Sequence, residues 1–298
     1  MKPPPFDYEA PESLDEALSL MDKFGADAKI LAGGQSLIPA LNFRSLQPKV
    51  IVDINRLSQL EYVTQLPTAD VHIGAMTRQG VLEFDPIIEE YLPLMHYAIP
   101  FIAHTAIRNR GTIGGSLAYA DPAGEQPTLT TALNADFKLQ SLTGERWVSA
   151  GDFFKAMNKT VLKSNEILTE IRIPTLPERT GWAFREVSRR HGDRVMMGVA
   201  ALVTTDANGT CRQVKLVFQN GASIPLDAVN SAQLLVGENG ASIQKVIQAA
   251  AAKAAHEEIE PVGDVHTSQA FQRQLAHELT LDVLAQAYQK ATSVQEKD

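Results

Sequence analysis

The chain has 298 residues, 44% hydrophobic and 21% charged, with a formal net charge of -8. That length buries a substantial core and suggests two or three domains, while the acidic balance excludes a nucleic-acid binder, which needs a strong basic field. No apolar run reaches membrane-spanning length and the opening Met1-Lys2-Pro3-Pro4-Pro5-Phe6 lacks an apolar signal core, so a cytoplasmic protein without a membrane span is expected.

In chain order, Ser13 with Glu16 three residues on reads as a capping box for a helix whose apolar stripe is Leu14, Ala17, Leu18 and Met21, ended by Gly25. Short strands are expected over 28–31 and 49–54, giving a small α/β subdomain over about 1–56. Strands then follow over 62–63 and 71–75, and helices over 77–84 and 91–103, the latter with Leu94, Ala98 and Ile102 on one side. Strands over 135–140 and 145–148 flank the turn Thr143-Gly144, a helix starts at Ala150, and a strand over 167–173 stops at Pro174. Pro174 and Pro177 break regular structure and mark a boundary, dividing the chain into 1–176, with subdomains of about 1–56 and 57–176, and 177–298. The second module reads as strands over 182–187, 196–205 and 213–220 and helices over 229–235, 241–255 and 268–292.

Two glycine-centred segments carry the chemistry. Ala32-Gly33-Gly34-Gln35-Ser36 follows a strand, and Gly111-Thr112-Ile113-Gly114-Gly115-Ser116 follows Arg108-Asn109-Arg110, which adds two cations. Glycine lets successive backbone N–H groups point into one concavity, as phosphate sites require. Either segment alone also reads as an ordinary tight turn, and the recurrence of the pattern 80 positions on, Ala32 to Thr112, favours the phosphate reading. Neither G-x-G-x-x-G after a strand nor G-x-x-x-x-G-K-[ST] occurs, so the Rossmann and P-loop readings lose their support. His104, shortly before the second segment, could approach whatever binds there.

Cys211 is the single cysteine, so an internal disulfide is impossible and no thiolate-ligated iron–sulfur cluster or structural zinc can be built from this chain alone. It reads as a small strand residue. The seven histidines form no H-x-H or H-E-x-x-H pattern, and no metal site is expected.

The order of Ile30-Leu31-Ala32-Gly33-Gly34-Gln35-Ser36-Leu37, Asn42-Phe43-Arg44, Val52-Asp53-Ile54, the second glycine segment with its flanks, Ala120-Asp121-Pro122, Glu166-Ile167-Leu168, Arg189-Arg190-His191-Gly192-Asp193 and Asp264-Val265-His266 matches a known pattern almost end to end. The chain resembles the FAD-binding medium subunit of molybdenum hydroxylases, the group that includes aerobic carbon monoxide dehydrogenase, quinoline-type oxidoreductases and, more distantly, xanthine dehydrogenase.

The resemblance implies an α+β architecture: a two-subdomain FAD-binding fold of the vanillyl-alcohol-oxidase/PCMH type, then a C-terminal three-stranded antiparallel sheet with helices. It implies that the cofactor is FAD, its diphosphate and ribityl held by Ile30, Leu31, Ala32, Gly33, Gly34, Gln35, Ser36 and Leu37 and by Thr112, Ile113, Gly114, Gly115 and Ser116. Glu125 falls where the family places an acidic contact on the adenosine side, though a solvated loop carboxylate reads equally well. Leu168 and Ile102 would pack on the cofactor or serve simply as core. Arg185 occupies the position of a cation near the flavin ring. Relatives usually carry an aromatic or apolar residue after the Gly-Asp pair, where this chain has Arg194; either that side chain turns away or it places a second cation near the ring.

The function implied is that of an oxidoreductase subunit which takes electrons from [2Fe-2S] clusters of a small partner subunit and passes them to an external acceptor. Hydroxylation belongs to a large molybdenum-cofactor subunit, the whole forming a dimer of heterotrimers, and no residue of this chain is assigned a catalytic role. The alternatives are a self-contained FAD-dependent dehydrogenase or oxidase, for which 177–298 is small as a substrate domain, and a non-catalytic nucleotide-binding protein.

Overall fold

In the computed structural model, which describes residues 2–66 and 70–293, Ser13 caps the helix Leu14–Phe24. Its hydroxyl accepts from the Glu16 amide, and Gly25 closes the other end at φ 50°. Ala17, Leu18 and Met21 turn this helix onto a core with Ala28, Val50, Val52 and Ile54. Ala28, Val50 and Val52 come from a parallel sheet of β1 (Asp7–Glu9), β2 (Ala28–Leu31) and β3 (Val50–Asp53), ordered β1-β3-β2, and Ile54 follows its central strand. β3 is central and its Val50, Ile51 and Val52 are all buried, the unbroken apolar run of a strand covered on both faces.

A second sheet is antiparallel throughout, in the order β4-β5-β10-β6-β7. Its members are β4 (Val63–Gln65), β5 (Asp70–Gly74), β6 (Asp136–Ser141) and β7 (Gly144–Ser149); a small hairpin of β8 (Phe154–Ala156) and β9 (Lys159–Thr160) precedes β10 (Ile167–Pro174). Ile171 of β10 sits between Ile73 and Phe137, and all three are fully buried.

By compactness the chain falls into two units. The first comprises Met1–Tyr91, Ala103–Ala120 and Asn134–Pro174, and holds both of these sheets; the second comprises Leu92–Ile102, Asp121–Leu133 and Thr175–Asp298. In the second, β11 (Thr180–Val187), β12 (Met197–Thr205) and β13 (Cys211–Gln219) form the expected antiparallel sheet, and the two-residue β14 (Leu226–Asp227) adds to its edge. The long helix Gln269–Ser293 lies so close to β11 that a Cβ on Gly181 would stand 1.9 Å from the Ala287 carbonyl oxygen. Val199, Ala201 and Phe218 of the sheet share one core with Val283, Leu284 and Ala287 of that helix. Cys211 lies in this core as a free, buried thiol.

Two helical expectations are corrected. The single helix over 91–103 is replaced by Pro86–Tyr91, Pro93–Ala98 and a tight turn Ile99–Phe101, because Pro93 and Pro100 lack the amide that a continuous helix needs at those places. The helix over 77–84 contracts to Gln79–Leu82. Glu125–Ala132 is a helix without the periodicity that would announce one: every residue from Gln126 to Ala132 is buried, so no polar stripe exists. Among the described residues no helix is long and apolar enough to cross a membrane.

Candidate functional site

β2 delivers the chain into the turn Ala32–Ser36, where Gly34 takes φ 76°, a conformation that suits glycine, and the helix Leu37–Asn42 follows. The Ile38 amide closes back on the Gly34 carbonyl at 3.0 Å and the Gln35 side chain donates to the Gly33 carbonyl at 3.0 Å. The backbone amides of Gly33, Gly34, Gln35 and Ser36 have no acceptor among the described residues, and neither has the Ser36 hydroxyl. Consecutive N–H groups left open at a glycine turn form the concavity that binds anions.

The second glycine segment meets this turn directly. A Cβ on Gly33 would lie 2.4 Å from the Arg110 carbonyl oxygen and 2.7 Å from Gly111 Cα, so only glycine permits the approach. A Cβ on Gly115 would make ordinary contact with Ala32 Cβ at 3.5 Å. Two segments far apart in sequence are thereby placed back to back within one unit.

Their roles differ from the symmetrical expectation of two open loops. Thr112 caps the helix Ile113–Tyr119, so Gly114 and Gly115 are helical rather than loop residues. The Ile113 amide donates to the Thr77 carbonyl, Gly114 to Ala75, Ser116 to the Thr112 carbonyl, and Gly115 to the Thr112 hydroxyl at 3.1 Å. A threonine at the N-cap and Ala75 beside Gly114 satisfy donors that a loop would leave open. The Thr112 amide, in a residue only 1% exposed, has no acceptor among the described residues. Ala75 extends the chain of contacts, its amide donating to the Thr169 carbonyl at the irregularity between Leu168 and Glu170 in β10. Leu168, 5% exposed, sits at that irregularity.

The flanking cations also divide. Arg108 is buried and forks onto both carboxylate oxygens of Glu83 at 2.8 and 3.0 Å, so its charge is compensated. Arg110 is exposed and its side chain makes no hydrogen bond or ion pair among the described residues.

A third arginine, Arg78, is half-buried beside them. It donates to the Arg110 carbonyl at 2.5 Å and to Asn55 Oδ1 at 2.7 Å, and Asn55 Nδ2 donates to the Ala32 carbonyl at 2.8 Å. Asp53 fixes Asn55 by accepting from its amide and side chain at 2.9 and 2.6 Å, and itself accepts from the Tyr8 hydroxyl at 2.5 Å. Burial, and then the neighbouring Arg110 guanidinium, hold Arg78 below its ordinary pKa. Neither Asn55 nor Arg78 belongs to the glycine segments. The only sequence hint is that Asn55 follows the Val52-Asp53-Ile54 strand end.

The remaining residues singled out earlier divide by unit. Ile30 and Leu31 are half-buried in β2 and Leu37 opens the following helix. In the second unit, Ile102 is 7% exposed after the turn Ile99–Phe101, and Glu125 opens the helix Glu125–Ala132, half-buried rather than a solvated loop carboxylate. Burial, with the Asp121 charge, pushes Glu125 up to about 7. Burial, with the Glu125 charge, pushes Glu186 up to about 8. Glu186 Oε2 and the nearby Gln219 Oε1 are buried without a hydrogen-bond partner among the described residues, while Gln219 Nε2 donates to the Ala123 carbonyl at 2.7 Å.

Arg185 donates to Asp282 at 3.0 Å and to the Tyr97 hydroxyl at 2.6 Å, and Arg194 forks onto Asp121 at 3.0 and 3.1 Å. Both guanidiniums therefore already hold carboxylate partners. His104 is exposed and caps the short helix Thr105–Arg108 through its backbone. Among the described residues no group of three or more His, Cys, Asp and Glu side chains is placed to hold a metal.

Residues 4–176 match the family described as the FAD binding domain in molybdopterin dehydrogenase, and residues 182–287 match the CO dehydrogenase flavoprotein C-terminal domain. This chain belongs to the FAD-binding medium subunits of the molybdenum hydroxylases. Within that family it is 39% identical over 296 residues to the 6-hydroxypseudooxynicotine dehydrogenase complex subunit alpha of Paenarthrobacter nicotinovorans, an alignment covering 99% of each chain. It is 36% identical to the carbon monoxide dehydrogenase medium chain of Hydrogenophaga pseudoflava, covering 97% of this chain and 99% of that one.

The solved carbon monoxide dehydrogenase from Hydrogenophaga pseudoflava that lacks the Mo-pyranopterin moiety superposes with a TM-score of 0.93 at 36% identity, covering 97% of this chain and 99% of that one. Quinoline 2-oxidoreductase from Pseudomonas putida 86 gives 0.92 at 34% identity, covering 98% and 100%. The medium subunit is thus an oxidoreductase flavoprotein whose cofactor is FAD. The open amides of the first turn and the buried orphan amide of Thr112 are the chemistry that a diphosphate requires.

Proposed function

We propose that this chain is the electron-transfer subunit of a cytoplasmic molybdenum hydroxylase, accepting electrons from [2Fe-2S] clusters on a small subunit and delivering them to an external acceptor. A large subunit carries the molybdenum cofactor, and the assembly is a dimer of heterotrimers. The observation that carries the reading is the junction of the two glycine segments, where amides without an acceptor among the described residues adjoin a contact that only glycine allows. The single cysteine supports the division of labour, since a cluster held by several thiolates must sit on another chain.

When bound, FAD supplies a centre that exchanges electrons singly or in pairs. The protein's part is to hold and orient it. Amides of Gly33, Gly34, Gln35 and Ser36, with the Ser36 hydroxyl, would hold the diphosphate. Thr112 would contribute its unpaired amide and Gly115 its lack of a side chain beside Ala32. Ile30, Leu31 and Leu37 frame the first turn, and Leu168 offers an apolar surface on the β10 side.

In the second unit, Ile102 would pack on the cofactor, Glu125 would accept from its adenosine side, and Arg185 would act from its Asp282 ion pair. The division into a FAD-binding module over 1–176 and a C-terminal module over 177–298 is part of this proposal. Affinity purification from the native host tests it. Flavin and iron–sulfur absorbance arriving with two further chains is the expected result; flavin alone, with turnover by the isolated chain, would sink the electron-transfer reading in favour of a self-contained enzyme.

A further inference from the structure

The two glycine segments are joined by more than contact. Asn55 Nδ2 donates to the Ala32 carbonyl, Asn55 Oδ1 accepts from Arg78, Arg78 also donates to the Arg110 carbonyl, and that same carbonyl abuts Gly33. The circuit closes on the turn whose amides are open. Arg78 closes it with neutral acceptors only: among the described residues both of its side-chain hydrogen bonds go to carbonyl-type oxygens, and no carboxylate forms an ion pair with Arg78 or Arg110. Asp53 and Glu61 act on Arg78 only at longer range.

A half-buried guanidinium is usually compensated by an acid, as Arg108 is by Glu83. Here two like charges lie near each other instead. In a chain of net charge -8, whose overall field opposes an anionic ligand, such a local excess is what an anion site needs.

We propose that Arg78, oriented by Asn55, is a positioning residue that locks the two glycine segments at their working separation, and that with Arg110 it supplies the positive charge compensating the cofactor's diphosphate. The proposal rests on the FAD reading above and adds to it residues outside both glycine segments. Arg78's hydrogen bonds set the geometry, while its charge acts through space on the anion. Removing the charge must therefore weaken ligands that carry phosphate, and spare those that do not.

The test uses the full chain freed of cofactor, titrated with FAD, ADP and adenosine at several KCl concentrations. Arg78→Gln is expected to weaken FAD and ADP about tenfold to a hundredfold, as the loss of a nearby charge together with the lock between the segments implies, and to leave adenosine within about twofold. The salt dependence of FAD binding should flatten in the same variant, because screening acts on the lost charge. Arg78→Lys should restore the salt dependence while recovering only part of the affinity, since an ammonium keeps the charge and loses the planar fork.

Equal weakening of ADP and adenosine, or unchanged ADP binding, overturns the proposal while leaving the FAD reading intact. Wild-type chain that binds neither FAD nor ADP overturns both. If Arg78→Gln does not fold, Arg110→Gln removes a charge whose side chain holds no bond among the described residues. A salt dependence and ADP affinity unchanged in that variant overturn the electrostatic account; a flatter dependence with weaker ADP binding supports it.

Discussion

Gly33→Ala is the sharpest perturbation the structure offers. The new Cβ would stand 2.4 Å from the Arg110 carbonyl oxygen, 2.7 Å from Gly111 Cα and 3.0 Å from the Arg110 carbonyl carbon, and all three are backbone atoms that cannot swing aside. Restoring ordinary contact near 3.4 Å parts the two segments by about 1 Å. Gly33 has no positive φ, so the cost is purely one of space. Overpacking of this kind costs about 1–3 kcal/mol, which for a unit of this size lowers Tm by about 3–10 °C.

The separation also sets the cradle, so FAD affinity should fall by about tenfold or more, each factor of ten being about 1.4 kcal/mol. Thermal melts of the cofactor-free chain and fluorescence titration with FAD measure the two effects. Gly151→Ala is the control: its Cβ would meet only the Ser149 hydroxyl at 3.9 Å, within the helix Ala150–Phe153, and should be neutral or slightly stabilising. If Gly33→Ala melts and binds FAD like Gly151→Ala, close approach of the glycine segments does not shape the site.

Other outcomes follow from the same physics. Glu125 and Glu186 titrate near 7 and 8 in the folded chain against an ordinary 4.5, so the native state keeps protons that the unfolded chain has already lost. Their contribution is complete below about pH 4.5 and is lost as pH rises toward 8, amounting to on the order of a few kcal/mol. Denaturation at pH 5 and pH 8 should show a smaller decline in Glu186→Gln than in wild type; equal declines would refute the shared burial of the two carboxyls. Cys211, whose thiol is pushed up to about 11 mainly by burial, should react with a thiol reagent only as fast as the chain opens, and rapid stoichiometric labelling at neutral pH would contradict its place in the core. Ser13→Ala removes the acceptor for the Glu16 amide and should cost about 1 kcal/mol, read as a lower denaturation midpoint.

Local physics was enough to read much of this protein. The cap at Ser13, the strands at 28–31, 167–173 and 182–187, and the long C-terminal helix follow from side-chain pattern and from glycine and proline placement, which act over a few residues. The glycine segments declared themselves in the same way, as sites of backbone freedom, and Cys211 alone excluded an internal iron–sulfur centre. Sequence pattern could not say which amides of the glycine segments stay open, because that depends on acceptors brought from elsewhere: Thr77 and Ala75 occupy those of Ile113 and Gly114, while no acceptor among the described residues answers those of Gly33 to Ser36.

Nor could it separate Arg108 from Arg110, two positions apart, one compensated by Glu83 and the other without an ion pair among the described residues. The helix Glu125–Ala132 stayed hidden because burial on every side erases the polar stripe by which helices are recognised. Asn55 and Arg78 have no motif at all. Their importance arises only where folding sets the Ala32 and Arg110 carbonyls within reach of one side-chain chain, a long-range encounter that spacing along the sequence does not encode.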